Sequence, residues 1–307
     1  MTPTVTLGFQ GLGKMGLSMV RRLRGGNHRV ICLGRSPEKR PEVEAVGAEW
    51  APELDDLIAE LPSPRMHWMM VPAEAVDDVI GQVGPLLAAG DILIDGGNSH
   101  YKDTVRRAEA LAADAIRYVD VGTSGGIWGL EVGYCLMVAG DREAFEALEP
   151  ALLTLAPPGG CLYCGPSGAG HYVKMVHNGI EYGMMEAYAE GFELMAASRY
   201  DLPLREIAHL WNQGSVVRSW LLELAERALE EDPKLERLDA FVEDSGEGRW
   251  TAQEAVELAV PAPVIVHSLM RRFGSRQDNS FALRMLAALR RQFGGHAVKP
   301  AEGEGGA

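Results

Sequence analysis

The amino-acid sequence predicts two domains: an α/β domain with a doubly wound parallel sheet, followed by an all-helical domain. The chain has 307 residues, and about 150 residues make one domain. In the first half, short apolar runs alternate with helix-like stretches, which is typical of a parallel sheet with crossover helices. After residue 168 the apolar residues recur only at helical spacing.

The first half contains seven strand-like runs with helical segments between most of them. Val5–Phe9 predicts the first strand, and Lys14–Gly25 predicts the helix after it. The later strands are expected at Arg29–Leu33, Met66–Val71, Asp91–Ile94, Arg117–Val121, Tyr134–Val138 and Cys161–Tyr163. Right-handed crossovers between parallel strands follow from this order. We expect this domain to cover residues 1–165.

The second half predicts helices throughout. They are expected at Gly168–Ser198, Leu204–Asn212, Ser219–Leu229, Ala252–Leu258, Val264–Phe273 and Phe281–Phe293. We therefore expect a helical domain over residues 166–296. Residues 297–307 end in a run of Gly and Glu and predict a flexible tail.

Composition and charge restrict the possible partners. No apolar run approaches the roughly 20 residues of a membrane-spanning helix, and no basic signal precedes the first strand, so a cytoplasmic location is expected. The net charge of −14 argues against nucleic acid and membrane surfaces. Glu223–Glu257 holds 12 acidic and 4 basic residues, whereas Ile265–Lys299 holds 7 basic and 1 acidic. The basic segment indicates either a local anion site or a solvated face.

The cysteines give little sign of a metal site. Cys161 and Cys164 have the spacing of a redox or zinc pair, but the sequence has no second ligand pair at suitable spacing. We expect ordinary thiols and no bound metal.

A glycine-rich loop follows the first strand and opens a helix, with the sequence Gly11-Leu12-Gly13-Lys14-Met15-Gly16. In this position the first glycine permits a tight turn and the second lets the backbone approach a pyrophosphate. The third allows close packing of helix and strand. The helix N-terminus offers free N–H groups to the phosphates. The loop predicts a Rossmann-type dinucleotide site.

The end of the second strand indicates which dinucleotide is bound. Many NAD-binding proteins place Asp or Glu there to bond the ribose 2′-hydroxyl. This chain has Arg35 and Ser36, which can grip a 2′-phosphate with a guanidinium fork and a hydroxyl. NADP is therefore the expected cofactor. NAD is the alternative, with Glu38 on the ribose.

Five polar residues share one face of the helix that begins near residue 168. Lys174, His177, Asn178, Glu181 and Tyr182 lie three or four residues apart, and apolar residues flank them. A solvated face is one explanation, but such a stripe is costly to bury without a function. A lysine whose pKa is lowered by desolvation can take a hydroxyl proton as hydride leaves, so the stripe predicts an alcohol dehydrogenation site.

At these residues the chain resembles the β-hydroxyacid dehydrogenase superfamily, and within it the 6-phosphogluconate dehydrogenase family. The matching motifs, in order, are Gly11–Gly16, Asp95–Ser99, Ser124–Gly126, Gly170–Tyr182, Arg249–Thr251 and Arg290–His296. The resemblance covers nearly the whole chain. The stretch from Lys174 to Tyr182 and the terminal Phe293-Gly-Gly-His296 are its most specific parts.

The resemblance implies oxidative decarboxylation of 6-phosphogluconate to ribulose 5-phosphate and CO2. Lys174 would be the general base and Glu181 the acid that protonates the enediol. The carboxylate and hydroxyls would be held by Asn98, Ser124, Gly125, Gly126, His177 and Asn178. The substrate phosphate would be bound by Tyr182, Arg249 and Thr251, with Arg290 and His296 reaching the site from a neighbouring subunit. The cofactor would contact Gly11, Leu12, Gly13, Met15, Gly16, Arg35, Ser36, Val71, Pro72 and Asn98.

The resemblance also implies a homodimer or homotetramer with shared sites. The chain is similar to the short form of the family, without the long extra helical domain. Gly34 stands where many relatives have Asn, and Arg249 where Lys is common. Arg276 is a further candidate phosphate ligand.

Two other functions remain open from the sequence. One is dehydrogenation or reduction of a small unphosphorylated 3-hydroxy acid such as 3-hydroxyisobutyrate, which would not need Arg249 or Arg290. The other is a catalytically silent NADP-binding subunit, which predicts a decayed catalytic stripe. Lys174, Asn178 and Glu181 are all present, and they favour an enzyme.

Overall fold

An eight-stranded sheet forms the N-terminal part of the chain in this computed structural model, which describes residues 3–294 and 297–299. The strands are β1 (Thr6–Gln10), β2 (Arg29–Leu33), β3 (Glu49–Trp50), β4 (Met66–Met69), β5 (Ile92–Asp95), β6 (Arg117–Ser124), β7 (Cys135–Gly140) and β8 (Cys161–Gly165). Their order is β3-β2-β1-β4-β5-β6-β7-β8. The order reverses at β1, and ligands of such sheets bind at the carboxyl ends of the strands at this reversal.

All neighbouring strands are parallel except β6 and β7, which are antiparallel. The sequence predicted a parallel sheet and gave no sign of an antiparallel pair. The difference has a simple cause: only the ten residues between Ser124 and Cys135 join these two strands. A parallel crossover needs a dozen or more residues, so the chain turns back instead. The short β3 was also missed, because two residues show no periodicity.

Helices cover both faces of the sheet. They are α1 (Lys14–Gly25), α2 (Arg40–Ala45), α3 (Leu54–Ala59), α4 (Val76–Val83), α5 (Tyr101–Ala112), α6 (Gly129–Val132) and α7 (Arg142–Leu155). Residues in one strand alternate between two apolar clusters: Ile92 and Ile94 pack in one cluster, and Leu93 packs in the other. This alternation places a buried core on each face of the sheet.

The rest of the chain is helical. Its helices are α8 (Ala169–Ala196), α9 (Leu204–Asn212), α10 (Trp220–Glu231), α11 (Glu247–Glu257), α12 (Pro263–Gly274) and α13 (Phe281–Gly294). The predicted fold class, a doubly wound α/β domain followed by an all-helical domain, is confirmed. In the described part of the chain, no helix is long and apolar enough to cross a membrane.

The chain forms two compact units, and the boundary between them lies inside α8, between Gly179 and Ile180. The first unit contains the sheet and the start of α8, and the second contains the rest of α8 and the later helices. The boundary expected at residues 165 and 166 stays a prediction. In the second unit, α9 packs on α10 and α11 packs on α12.

Candidate active site

The glycine-rich loop between β1 and α1 has the shape that a pyrophosphate needs. Gly11 has a φ of 103°, and a Cβ there would lie 2.2 Å from the Met70 carbonyl oxygen. A Cβ on Gly16 would lie 2.0 Å from the Gly11 carbonyl oxygen, so α1 packs directly on the loop. Among the described residues, nothing lies within 4 Å of the Cβ position of Gly13. Gly13 therefore leaves room for a ligand to approach the backbone.

The N-terminus of α1 is suited to bind an anion. In the described structure its first turn has no side-chain cap and no acidic residue. Its N–H groups and partial positive charge can therefore meet a phosphate. Leu12 and Met15 beside it pack against the core, which holds the loop in place. These residues fit a dinucleotide.

Arg35 and Ser36 follow β2, beside the glycine-rich loop. A Cβ on Gly34 would lie 2.6 Å from the Trp50 ring, so this turn packs closely on β3. Arg35 is exposed, and its guanidinium makes no hydrogen bond or ion pair with the described residues. Ser36 is half-buried and does not cap the short helical turn after it. The guanidinium is therefore accessible to a ligand.

Asn98 projects from a loop that is otherwise buried. Asp95, at the end of β5, is fully buried and accepts hydrogen bonds from Gly97 N at 3.1 Å and Ser99 Oγ at 2.6 Å. The Tyr118 hydroxyl donates to the same carboxylate at 3.0 Å, and burial raises the pKa of Tyr118 well above its ordinary value. Asp95 thus fixes the loop that exposes Asn98.

The loop carrying Asn98 packs on the segment after β4. A Cβ on Gly97 would lie 2.7 Å from the Val71 carbonyl oxygen. Pro72 follows directly and precedes a short helical turn. Val71, Pro72 and Asn98, all expected to contact the cofactor, therefore come from two packed loops at one end of the sheet.

Lys174, Asn178, His177 and Ser124 form a continuous set of hydrogen bonds. Lys174 and Asn178 are 6% and 9% exposed. Lys174 Nζ donates to Asn178 Oδ1 at 2.8 Å, and His177 Nδ1 lies 2.9 Å from the same oxygen. His177 Nε2 lies 3.3 Å from Ser124 Oγ. Because Asn178 Oδ1 only accepts, His177 Nδ1 carries the proton of this contact. Lys174 and Asn178 are thus buried polar residues on this face of α8, and His177 beside them is half-buried.

Ser124 ends β6 and leads into two glycines with left-handed backbone. Gly125 and Gly126 have φ values of 132° and 54°. This conformation favours glycine and turns the chain sharply after the strand. Among the described residues, nothing lies within 4 Å of the Cβ position of Gly126, so a carboxylate ligand could approach the backbone there.

Strand β6 also anchors the start of α8. Asp120 is fully buried and accepts hydrogen bonds from Gly168 N at 2.8 Å and His171 N at 3.0 Å. A Cβ on Gly122 would lie 2.5 Å from Lys174 Cβ. Asp120 therefore caps the helix, and Gly122 allows Lys174 to lie close against the sheet.

In the C-terminal unit, Tyr182 is 6% exposed and has polar neighbours. Its hydroxyl accepts from Ser245 N at 3.1 Å and lies 3.4 Å from Ser245 Oγ. The Arg272 guanidinium stacks on its ring, 3.5 Å from the centroid. A Cβ on Gly248 would lie 2.4 Å from the ring. Tyr182 is thus held between α11 and α12.

Arg249 and Arg276 share one carboxylate. Arg249 donates to Asp244 through Nε at 2.5 Å and Nη2 at 3.0 Å, and Arg276 Nη2 donates to it at 2.5 Å. These two guanidiniums hold the pKa of Asp244 at about 2. Thr251 is buried, and its hydroxyl donates to the Glu247 carbonyl oxygen at 2.9 Å. The Thr251 hydroxyl proton therefore takes part in a hydrogen bond within α11.

Three further site residues were expected. Glu181 is half-buried on α8, one residue before Tyr182. Arg290 is exposed on α13. His296 lies outside the described residues.

Sequence reasoning missed the residues that support the site. Asp95 and Asp120 lie in or at the end of apolar strand segments, and a buried acid in such a segment needs partners. That signal could have identified both. Arg272 lies in the basic segment but has no motif of its own, and Asp244 has no sequence signal at all.

The four cysteines are free thiols. Burial raises the pKa of Cys32 to about 12 and that of Cys161 to about 11, so both stay protonated at neutral pH. Within the described ranges, no group of three or more His, Cys, Asp or Glu residues could hold a metal ion.

Family models match both parts of the chain. Residues 6–165 match the NAD binding domain of 6-phosphogluconate dehydrogenase. Residues 170–299 match the 6-phosphogluconate dehydrogenase C-terminal domain. Both the predicted resemblance and the predicted dinucleotide-binding domain are confirmed.

Individual proteins agree with these models. A putative 6-phosphogluconate dehydrogenase of Bacillus subtilis, YqeC, is 45% identical over 95% of this chain and 99% of its own. A Haloferax volcanii protein named NAD(+)-dependent, decarboxylating 6-phosphogluconate dehydrogenase is 47% identical over 95% of this chain and 98% of its own.

A solved structure extends the likeness to the fold. It is that of Plasmodium falciparum 6-phosphogluconate dehydrogenase, described with its cofactor NADP+ and its substrate 6-phosphogluconate. The TM-score is 0.83 at 27% identity, over 97% of this chain and 67% of that one. The chain belongs to the 6-phosphogluconate dehydrogenase family.

Proposed function

We propose that this chain oxidises and decarboxylates 6-phosphogluconate to ribulose 5-phosphate and CO2, with a nicotinamide dinucleotide as hydride acceptor. The observation that carries the proposal is the hydrogen-bonded set of Lys174, Asn178, His177 and Ser124. Membership of the family supports it, as does the decarboxylating name of the Haloferax relative.

Lys174 is the proposed general base. It takes the proton of the 3-hydroxyl while the C3–H electron pair leaves as hydride. The nicotinamide, when bound, accepts that hydride. Lys174 then returns the proton to the 3-keto oxygen as the C1–C2 bond breaks and CO2 departs. Lys174 Nζ donates to Asn178 Oδ1 at 2.8 Å, and this bond directs the amine.

Glu181 is the proposed acid of the last step. It protonates the enediol carbon that lost CO2, and Lys174 takes the proton of the enediol hydroxyl as the ketone forms. One proton enters at carbon and one leaves oxygen, so the step balances. Glu181 and Lys174 lie on the same helix, seven residues or about two turns apart, which puts them on one face of α8.

The other proposed ligands position the substrate. Asn98, Ser124, Gly125, Gly126 and His177 would hold its carboxylate and hydroxyls. Tyr182, Arg249 and Thr251 would bind its phosphate, with Arg290 and His296 supplied by a neighbouring subunit. The contacts of Tyr182 with Ser245 and Arg272 favour those two residues as additional phosphate ligands, because both carry hydrogen-bond donors.

The choice between the two dinucleotides is also proposed. NADP is the first candidate, because Arg35 is exposed and makes no ion pair with the described residues, so it can meet a 2′-phosphate. NAD is the second, because the Haloferax relative and a 38% identical Bacillus subtilis relative are both named NAD(+)-dependent.

The decisive measurement is kcat/KM for 6-phosphogluconate with each cofactor, beside 3-hydroxyisobutyrate. We expect 6-phosphogluconate to be preferred by orders of magnitude, because the small acid has no phosphate for the arginines. Preference for 3-hydroxyisobutyrate would reject the proposal. The fold likeness to a Mycobacterium tuberculosis 3-hydroxyisobutyrate dehydrogenase, with a TM-score of 0.69 at 21% identity, makes this comparison necessary.

A further inference from the structure

The Asp244 carboxylate stands at the centre of the arginine cluster in the C-terminal unit. Its side chain is only 2% exposed. Its two oxygens accept three hydrogen bonds, two from Arg249 and one from Arg276. One carboxylate therefore joins two guanidiniums from different elements, the first turn of α11 and the residues after α12.

The same contacts leave part of each guanidinium open. Both arginines donate hydrogen bonds through Nε and Nη2. Arg249 donates both to Asp244, whereas Arg276 donates through Nη2 to Asp244 and through Nε to the Arg272 carbonyl oxygen at 3.2 Å. Within the described residues, neither Nη1 has a hydrogen-bond partner. The side chains of Arg249 and Arg276 remain 50% and 25% exposed. An anion can therefore reach both Nη1 groups without breaking the ion pairs.

Asp244 is also the neighbour of Ser245, whose N–H donates to Tyr182 at 3.1 Å. On its other side, the Glu243 carbonyl oxygen accepts from Arg272 Nη1 at 2.9 Å. The segment 243–245 is thus fixed between Tyr182 and Arg272, with Asp244 anchoring its centre. The anchored residues are those around which the phosphate is proposed to bind.

We propose that Asp244 is the positioning residue of this phosphate site: it holds Arg249 and Arg276 in their binding geometry before the substrate arrives. The inference rests on the proposed function, which supplies the phosphate. An arginine side chain loses much rotational freedom when it binds a ligand. A guanidinium that is already fixed loses less, so the same contact binds more tightly.

The test compares Asp244→Asn with wild type. We expect KM for 6-phosphogluconate to rise about 10- to 100-fold while kcat stays within about threefold, because ground-state and transition-state binding are lost equally. Affinity for inorganic phosphate, measured by calorimetry, should fall by a similar factor. Asp244→Glu retains the charge and should restore part of both.

Asp232→Asn is the matched control. Asp232 lies in the same unit and also pairs with an arginine, Arg237, but among the described residues no hydrogen bond or ion pair joins it to Arg249 or Arg276. We expect its kinetics to match wild type. A circular dichroism spectrum and a thermal unfolding curve like those of wild type show that each variant is folded.

An unchanged or lower KM in Asp244→Asn would overturn the inference, because it would mean that the carboxylate only repels the substrate phosphate. Should Asp244→Asn fail to fold, Asp244→Ser removes the carboxylate in its place, and wild-type KM and phosphate affinity in that variant would overturn the inference equally. Wild-type protein that binds inorganic phosphate but does not turn over 6-phosphogluconate would instead reject the proposed function. The calorimetric comparison would still decide the role of Asp244.

Discussion

Lys174 combines three properties that a general base for an alcohol needs. It is buried, its Nζ is directed by Asn178 Oδ1 at 2.8 Å, and it lies within a turn of His177. Directed donors and acceptors in a site with little water give larger effects than the same groups in solution. Truncating the Lys174 side chain leaves the backbone of α8 in place. Its effect on the rate of the reaction can therefore be measured separately from its effect on binding.

We predict that Lys174→Ala lowers kcat by about 100- to 10,000-fold, the range typical of a lost general base. Cofactor affinity, measured by fluorescence titration, should change by less than about threefold, because the glycine-rich loop does not include Lys174. Asn178→Ala should lower kcat less, because Asn178 directs the Lys174 amine without transferring a proton. Turnover retained in Lys174→Ala would remove this residue from the mechanism.

We expect His67 to make the stability of the N-terminal unit depend on pH. It is fully buried in β4, and its Nε2 donates to Gln10 Oε1 at 3.1 Å. Burial lowers its pKa from the ordinary 6.5 to about 4. Its Nδ1 has no partner in the described structure, so a second proton there would be buried without an acceptor.

We therefore predict that stability is full above pH 6.5 and falls as the pH drops towards 4. Over this range the unfolded chain binds a proton on His67 and the folded chain does not. The free energy of unfolding therefore falls by on the order of 3 kcal/mol. Chemical denaturation of wild type and His67→Gln at several pH values measures the difference. In His67→Gln, the slope of the free energy of unfolding against pH should decrease by the equivalent of about one bound proton. In His267→Gln, where the replaced side chain is exposed, the slope should stay as in wild type. Equal slopes in all three proteins would show that His67 titrates normally when folded.

The pairing of β6 with α8 shows what the sequence could and could not predict at the scale of elements. Both elements were expected, because an apolar strand and a helical stripe are periodic patterns. Their contact was not, because Asp120 and Gly122 act through space on residues about 50 positions later. The spacing of the polar residues predicted the polar face of α8. It did not predict the contacts of Asp120 and Gly122 that attach this helix to the sheet.

We predict that Asp120→Asn lowers the free energy of unfolding by about 2–4 kcal/mol, because an amide cannot accept both helix N–H groups as a carboxylate does. The start of α8 should shift, and a misplacement of about 1 Å costs about 100-fold in rate. Denaturation and kcat measure the two effects.

Asp141→Asn is the matched control for this helix cap. Asp141 caps α7 in the same unit, accepting from Ala144 N at 2.8 Å, and its side chain is 41% exposed. The loss there should be only a few tenths of a kcal/mol, because Asn is about as good an N-cap as Asp, and kcat should be unchanged. If Asp120→Asn destabilises the protein but leaves kcat at the wild-type value, the cap does not position Lys174.

At the scale of the molecule, the sequence predicted the two architectures but not the parallel–antiparallel switch at β7, which depends on a loop length rather than a pattern. It also indicated a basic segment, and the structure resolves part of that segment into Arg272 and Arg276 near Tyr182. The basic residues on α13 lie on a helix that also exposes apolar side chains. Phe281, Leu286 and Leu289 on that helix are 67%, 57% and 52% exposed.

Exposed apolar residues at helical spacing are typical of a surface that another subunit covers. A groove of about 530 Å³ between α11 and α12, lined by apolar residues such as Val256, Val260 and Val266, offers a second apolar surface in the same unit. Both features support the proposed homodimer or homotetramer, in which Arg290 and His296 act on a neighbouring site. Isolated subunits would then lack part of the phosphate site.

Mixing two inactive variants tests this sharing. Lys174→Ala lacks the base, and Arg290→Ala lacks a phosphate ligand that is proposed to come from the partner. In a mixed dimer one site receives both defects and the other receives neither, so random reassociation should restore about a quarter of wild-type activity. Lys174→Ala mixed with Glu181→Ala is the control and gives no recovery, because both residues lie on α8 and every site carries a defect. Absence of recovery with Arg290→Ala, in mixtures shown by mass spectrometry to have exchanged subunits, would mean that Arg290 serves its own subunit or none.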